Sequence, residues 1–210
     1  MLFFRGVTRA LLIVLALGTG VLARAPQFPA VEPAAIPVEQ EPRHRLVFAN
    51  EFVRVLDVVL PPFYVSQNHT HVYDSVAVTI VPGIEGPQGQ SRIGFAGYAR
   101  GGYSHIITNQ NTGPMRIVAV ELRAAQPGAT EEVAQDDHLP VLSNARVRIR
   151  RVRLGAGATL DEHQHANGYA SVVVRGGDGP GTWRWHQAGE GPAPLSGGSQ
   201  PLEIVEVEPR

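Results

Sequence analysis

The chain contains no cysteine. Disulfides are therefore excluded, and so is any anchor built on a lipid-modified cysteine. The fold must hold together by its core alone, which 210 residues can supply. Lysine is missing too, so all 18 basic side chains are arginine, and the formal charge is −1. That balance leaves no basic footprint, and no nucleic-acid partner is expected. Long apolar runs of helical period are scarce, whereas proline numbers 17 and glycine 23. This composition favours many short strands separated by turns.

The one long apolar run lies at the N-terminus. Residues 1–9 carry Arg5 and Arg9 and no acid, and an apolar stretch follows from Ala10 to Leu22. Ala23-Arg24-Ala25 then offers a small-x-small cleavage pattern. This order is that of a secretory signal peptide, expected over residues 1–25. The run is shorter than the roughly 20 residues needed to span a bilayer. Cleavage after Ala23 and an uncleaved anchor are the alternatives. Loss of residues 1–25 would leave 15 arginines against 19 acids. A periplasmic or secreted location follows as an expectation, with no membrane association after cleavage. Residues 26–43 repeat proline without periodic apolar positions. They read as a stiff, extended linker, poorly ordered or draped along the first domain.

The rest of the chain is self-similar. A shift of 94 residues lays His44–Val78 on His138–Val172 without a gap, with ten identities in 35 positions where chance gives about two or three. The identities include His44/His138, Val47/Val141, Asn50/Asn144, Arg54/Arg148, His69/His163 and His71/His165. The ends also match: Pro114–Glu121 resembles Pro201–Glu208. Two domains are therefore expected, at 44–123 and 138–210, joined by a polar connector at 124–137. Each reads as all-β. Val53 and Val55 alternate, as do Val58 and Leu60, with a phase slip between the pairs, and residues 147–154 repeat the slip. Such a slip suggests a bulge or a bend. Many short strands with Gly/Pro turns point to a sandwich or barrel.

Within the first repeat, His69-Thr70-His71 precedes a β-branched run. Side chains at i and i+2 of a strand share a face, with Cα atoms about 6.6 Å apart. Two such imidazoles can converge on one ion at about 2.0–2.1 Å. A third histidine, His105, lies in Gly102-x-x-His105-x-x-x-Asn109.

Taken together, His-x-His, G-x-x-H-x-x-x-N and the duplication resemble the cupin family, in its two-barrel (bicupin) form. The resemblance covers about residues 44–209. It implies two jelly-roll barrels and a divalent metal at the mouth of the first, held by His69, His71 and His105. Where the family has a glutamate four or five residues after His-x-His, this chain has Ser75 and Val76. Asp74 is out of phase and could join only from a turn. Three neutral ligands suit Fe(II), Zn, Ni or Cu, and Mn less well. In the second repeat His163 and His165 keep the pair, but no histidine stands at the counterpart of His105, so that barrel reads as degenerate.

Other residues invite plainer readings. His44 and His138 are expected to form strand-edge hydrogen bonds. Arg146, Arg148, Arg150, Arg151 and Arg153 read as the solvated face of a strand. Trp183 and Trp185 are expected to fill or cover the second barrel, and Tyr103 shares a face with His105. Two functions stay open: a metal-dependent enzyme of dioxygenase or isomerase type acting on a small molecule, or a non-catalytic ligand- or metal-binding barrel. A homo-oligomerisation role is a third.

Overall fold

Alternation of β-branched and polar residues becomes strand throughout the computed structural model, which describes residues 34–81, 91–127, 138–161, 165–190 and 194–210. The leader expected over residues 1–25 and His163 lie outside the described residues. No helix among the described residues is long and apolar enough to cross a membrane.

The first repeat contributes β1 (Ile36–Pro37), β2 (His44–Ala49), β3 (Val53–Leu60), β4 (His69–His71), β5 (Asp74–Ile80), β6 (Ser91–Ala96), β7 (Tyr103–His105) and β8 (Met115–Leu122). The second contributes β9 (His138–Ser143), β10 (Val147–Leu154), β11 (Thr159–Leu160), β12 (Tyr169–Arg175), β13 (Trp183–His186), β14 (Leu195–Ser196) and β15 (Leu202–Pro209). Each repeat builds a five-stranded sheet in the same order, β2-β3-β8-β5-β6 and β9-β10-β15-β12-β13. A smaller sheet accompanies each, β1-β4-β7 and β11-β14.

The central strands of the large sheets are buried on both faces. On β3, Val53 and Val55 join one apolar cluster, while Leu56, Val58 and Leu60 join another inside the first barrel. The first cluster is shared: Val76, Val78, Val118, Val120 and Leu122 of repeat one pack with Val147, Ile149, Val172, Val205 and Val207 of repeat two. The two sheets thus close on each other, and each keeps its own inner layer. The second inner layer is Val152, Leu154, Leu202 and Ile204. Burial of each such side chain stabilises the fold by about 1.5–3 kcal/mol.

This arrangement corrects the phase slip. β3 pairs with β8 without interruption from Val53↔Leu122 to Leu60↔Met115, so the strand has no bulge there. The apparent slip is the change from residues buried between sheets to residues buried inside a barrel. The bulges lie one strand earlier, at Val47 in β2 and at Val141 in β9, which are matched positions of the repeat. Another matched identity also has a structural cause. Asn50 Oδ1 accepts from the amides of Phe52 and Val53, and Asn144 Oδ1 from those of Arg146 and Val147, closing the same turn twice.

Two further expectations are revised. Arg148, Arg150 and Arg151 are not a solvated row. Register sets β10 against the acids of β15, Arg148↔Glu208 and Arg150↔Glu206. Arg150 donates to Glu208 at 2.5 Å and Arg151 to Glu203 at 2.6 Å, and the three arginine side chains are largely buried. Trp183 and Trp185 pack on the cluster between the sheets, with ring centroids 5.7 and 6.2 Å from Phe48 of the first repeat. The end of the proline-rich segment is draped on the first barrel: Ile36 pairs with His69 in parallel, and Val38 is fully buried in that barrel's inner cluster.

Candidate metal centre

Strand pairing brings the sequence motifs together. β4 runs antiparallel to β7 with His69 opposite His105 and His71 opposite Tyr103. Thr70, on the other face, meets Ser104 at 2.8 Å between hydroxyl oxygens. The turn into β7 depends on Gly102, whose φ of +75° is left-handed and whose missing Cβ would stand 3.3 Å from the His71 carbonyl. Asn109, the last residue of the second motif, is fully buried and donates to the carbonyls of Leu60, Pro61 and Gly113. It anchors the loop behind His105 and contributes nothing to the site itself.

The rings of His69, His71 and His105 lie 4.6–5.2 Å apart, centroid to centroid. A fourth histidine joins them. His44, at the start of β2, sits 4.2 Å from His69 and 5.8 Å from His71. One ligand atom from each of His44, His69 and His71 lies within 4.8 Å of the others. His44 thus stands beside the pair, while its Nδ1 keeps the hydrogen bond expected at the strand start, to Glu41. The available signal was its match to His138 in the repeat.

Three of the rings are oriented through Nδ1. His69 Nδ1 lies 2.8 Å from the Gln67 carbonyl, His71 Nδ1 2.6 Å from Glu121, and His44 Nδ1 2.7 Å from Glu41. A carbonyl can only accept, so His69 Nδ1 carries the proton and its Nε2 keeps a lone pair. The carboxylates act on His71 and His44 in the same way. This is the outer-shell arrangement that fixes metal-ligating imidazoles. The Nε2 atoms of His69 and His105 are buried and meet no hydrogen-bonding group among the described residues. Buried polar atoms left in this state are costly, and a cation would satisfy both. The donor set fits a divalent transition metal.

Electrostatics favour the neutral form of His105, His69 and His44. Burial pushes His105 down to about 4, helped by the neighbouring His69, His71 and His44. Burial also lowers His69, against the opposing hydrogen bond to Gln67, and lowers His44, against Glu41. Neutral imidazole is the metal-binding form.

The acid anticipated after His-x-His arrives from elsewhere. Asp74 is turned away: its Oδ1 accepts from the Ala99 amide at 2.9 Å and its Oδ2 from Arg146 at 2.8 Å. Glu121, on the last strand, is fully buried beneath His71 and is bonded by Arg54, which also reaches Glu39. Glu121 orients the His71 ring from 50 residues away in sequence. Tyr98 and Tyr103 stack 5.1 Å apart at the mouth, with Tyr98 5.6 Å from His71 and Tyr103 5.2 Å from His105. A small cavity of about 60 Å³ lies beside the cluster, walled by Val58, Ala77, Ile107 and Ile117.

The second barrel gathers a different set. His138, His165 and Glu206 bring one ligand atom each within 4.8 Å of the others. Glu206 stands two residues before Glu208, the counterpart of Glu121, and its own counterpart is Ala119. Nothing in the His-x-His spacing could have pointed to it.

No protein-family model and no curated protein matches the chain. Among solved structures, the chain is similar to a cupin domain from Bordetella pertussis Tohama I, with 17% identity over 38% of this chain and 99% of that one, at a TM-score of 0.32. It is similar to the salicylate 1,2-dioxygenase of Pseudaminobacter salicylatoxidans, with 11% identity over 82% of this chain and 77% of that one, at a TM-score of 0.47. It is also similar to a variant of Bacillus subtilis oxalate decarboxylase, with 14% identity over 76% and 69%, at a TM-score of 0.40. Two five-stranded sheets of one strand order, each with histidines gathered beside it, make this an all-β fold built from two like halves.

Proposed function

We propose that the N-terminal barrel holds a divalent transition metal, one of Fe, Zn, Ni, Cu or Mn, through Nε2 of His69, His71 and His105, with His44 as a fourth donor. The observation that carries this reading is the polarity of the rings: Nδ1 atoms tied outward to Gln67, Glu121 and Glu41, and buried Nε2 atoms of His69 and His105 with no hydrogen-bond partner among the described residues. A metal here would supply Lewis-acid or oxygen chemistry. The protein's part is to hold neutral imidazoles in place, to exclude water with Val58, Ile107 and Ile117, and to admit a small molecule past Tyr98 and Tyr103.

Metal content of the untagged protein, by elemental analysis, tests this. His69→Ala and His105→Ala should remove the metal of the first barrel; retention in both variants contradicts the reading. A substrate screen with the copurifying metal then separates the enzyme from the non-catalytic binding barrel. Export, supported by the basic-apolar-small order of residues 1–25, belongs to the same proposal. A mature chain beginning near Arg24 or Pro26 outside the cytoplasm supports it. A soluble cytoplasmic chain beginning at Met1 contradicts it.

A further inference from the structure

The second barrel lacks a counterpart of His105, yet its polar interior has the dimensions of an ion site. We infer that His138, His165 and Glu206 bind a second divalent transition metal, chemically unlike the first. Glu206 is buried, 2% exposed, and projects inward from β15. Its Oε2 lies 3.5 Å from His138 Nε2 and its Oε1 lies 3.7 Å from His165 Nε2. These separations exceed hydrogen-bond reach. They are close to the spacing of about 3.4 Å between neighbouring ligands on a tetrahedral ion with bonds of about 2.1 Å. Glu206 Oε2 has no hydrogen-bond partner among the described residues. A carboxylate held open between two imidazole nitrogens is the independent sign of a cation.

The surrounding charges permit it. Arg150 lies opposite Glu206 in register, and its guanidinium donates to Glu208 at 2.5 Å, so each acid at this end of the sheet has an arginine near it and neither charge is unanswered. The rings of Tyr169 and His186 back the cluster, Tyr169 at 4.1 Å from His165 and stacked 4.4 Å from His186. Ser171 meets His186 Nε2 at 2.9 Å, and His186 is not among the residues whose ligand atoms converge. Glu206 also borders a cavity of about 270 Å³, more than four times that beside the first cluster. Open coordination positions would therefore face space for a small molecule. Two imidazoles and one carboxylate form the donor set typical of Fe(II), and the harder oxygen suits Mn(II) better than an all-imidazole site does.

Titration of the metal-depleted full-length chain with Co(II), followed by visible absorption, reads both sites. Wild type should take up two equivalents. Glu206→Gln and His138→Gln should each lose one, while His71→Ala should lose the other, with a different absorption spectrum remaining. Two variants on the second site guard against one that does not fold. The inference is overturned if wild type binds a single equivalent that His71→Ala removes, or if both second-site variants still bind two. Failure of the first-barrel reading would look different: two equivalents in His71→Ala, or one equivalent in wild type that Glu206→Gln removes.

Discussion

The inner layers of the two barrels, compared rung by rung, diverge at one place. From the closed end, β3 and β8 pair Leu60 with Met115, Val58 with Ile117, Leu56 with Ala119 and Arg54 with Glu121. β10 and β15 pair Leu154 with Leu202, Val152 with Ile204, Arg150 with Glu206 and Arg148 with Glu208. Two rungs are apolar in both barrels and one is an Arg–Glu pair in both. The rung between is apolar in the first barrel and charged in the second. That exchange lets the first barrel seat its histidines on hydrocarbon, and it gives the second a carboxylate within reach of His138 and His165. The same fold thus offers a neutral donor set at one mouth and an anionic one at the other.

Copying the charged rung into the first barrel breaks the comparison most severely. Leu56→Arg places an unanswered charge in the inner cluster and should cost about 3–5 kcal/mol in chemical denaturation. Adding Ala119→Glu rebuilds the pair seen at Arg150 and Glu206, and should return part of that loss. A double variant no more stable than Leu56→Arg alone would show that the rungs are not interchangeable.

Next comes the acid under the first cluster. Glu121→Gln leaves His71 less firmly oriented and removes one of the two carboxylates on Arg54, and should weaken metal binding at the first site by about 10–100-fold. Competition with a chromophoric chelator measures this. Glu208→Gln, at the matched place in the second barrel, should leave the first site's affinity unchanged.

A smaller effect is expected where the repeats are joined by charge. Asp74→Asn removes the Arg146 pair and should cost about 1.5 kcal/mol. Burial alone would raise the Asp74 carboxyl, but the Ala99 amide and the Arg146 guanidinium outweigh it and hold the group below its usual range. A depressed folded pKa contributes stability that is present above the unfolded value of about 3.9 and is lost as pH falls through the folded value. Wild type should therefore lose stability on acidification more steeply than Asp74→Asn. The smallest effect is expected for Thr70→Val, which removes only the exposed bond to Ser104: about 0.5 kcal/mol by thermal melt, with metal content unchanged.

Much of this was legible in the sequence, because the repeat displays each structural device twice. The histidine pair and the all-β class follow from spacing and alternation, and His105 from the resemblance that its motif carries. The approach of His44 to the pair was not anticipated, because sequence distance does not show that β2 starts beside β4, although His138 repeats the residue. Glu121 and Glu206 escaped because antiparallel register across the sheet, rather than sequence distance, sets them near the histidines. The arginine row looked solvated because alternation reports which face a residue takes, but not that the strand opposite carries Glu203, Glu206 and Glu208. Val53–Leu60 looked bulged because a strand buried on both faces has no polar side to mark its phase.

The central claim is that the first barrel's imidazoles form a metal site. Anomalous diffraction from crystals of the full chain grown with Co(II) tests it most directly. The account predicts a peak about 2.0–2.2 Å from Nε2 of His69, His71 and His105. Well-ordered rings in the metal-loaded crystals with no peak among them would contradict it.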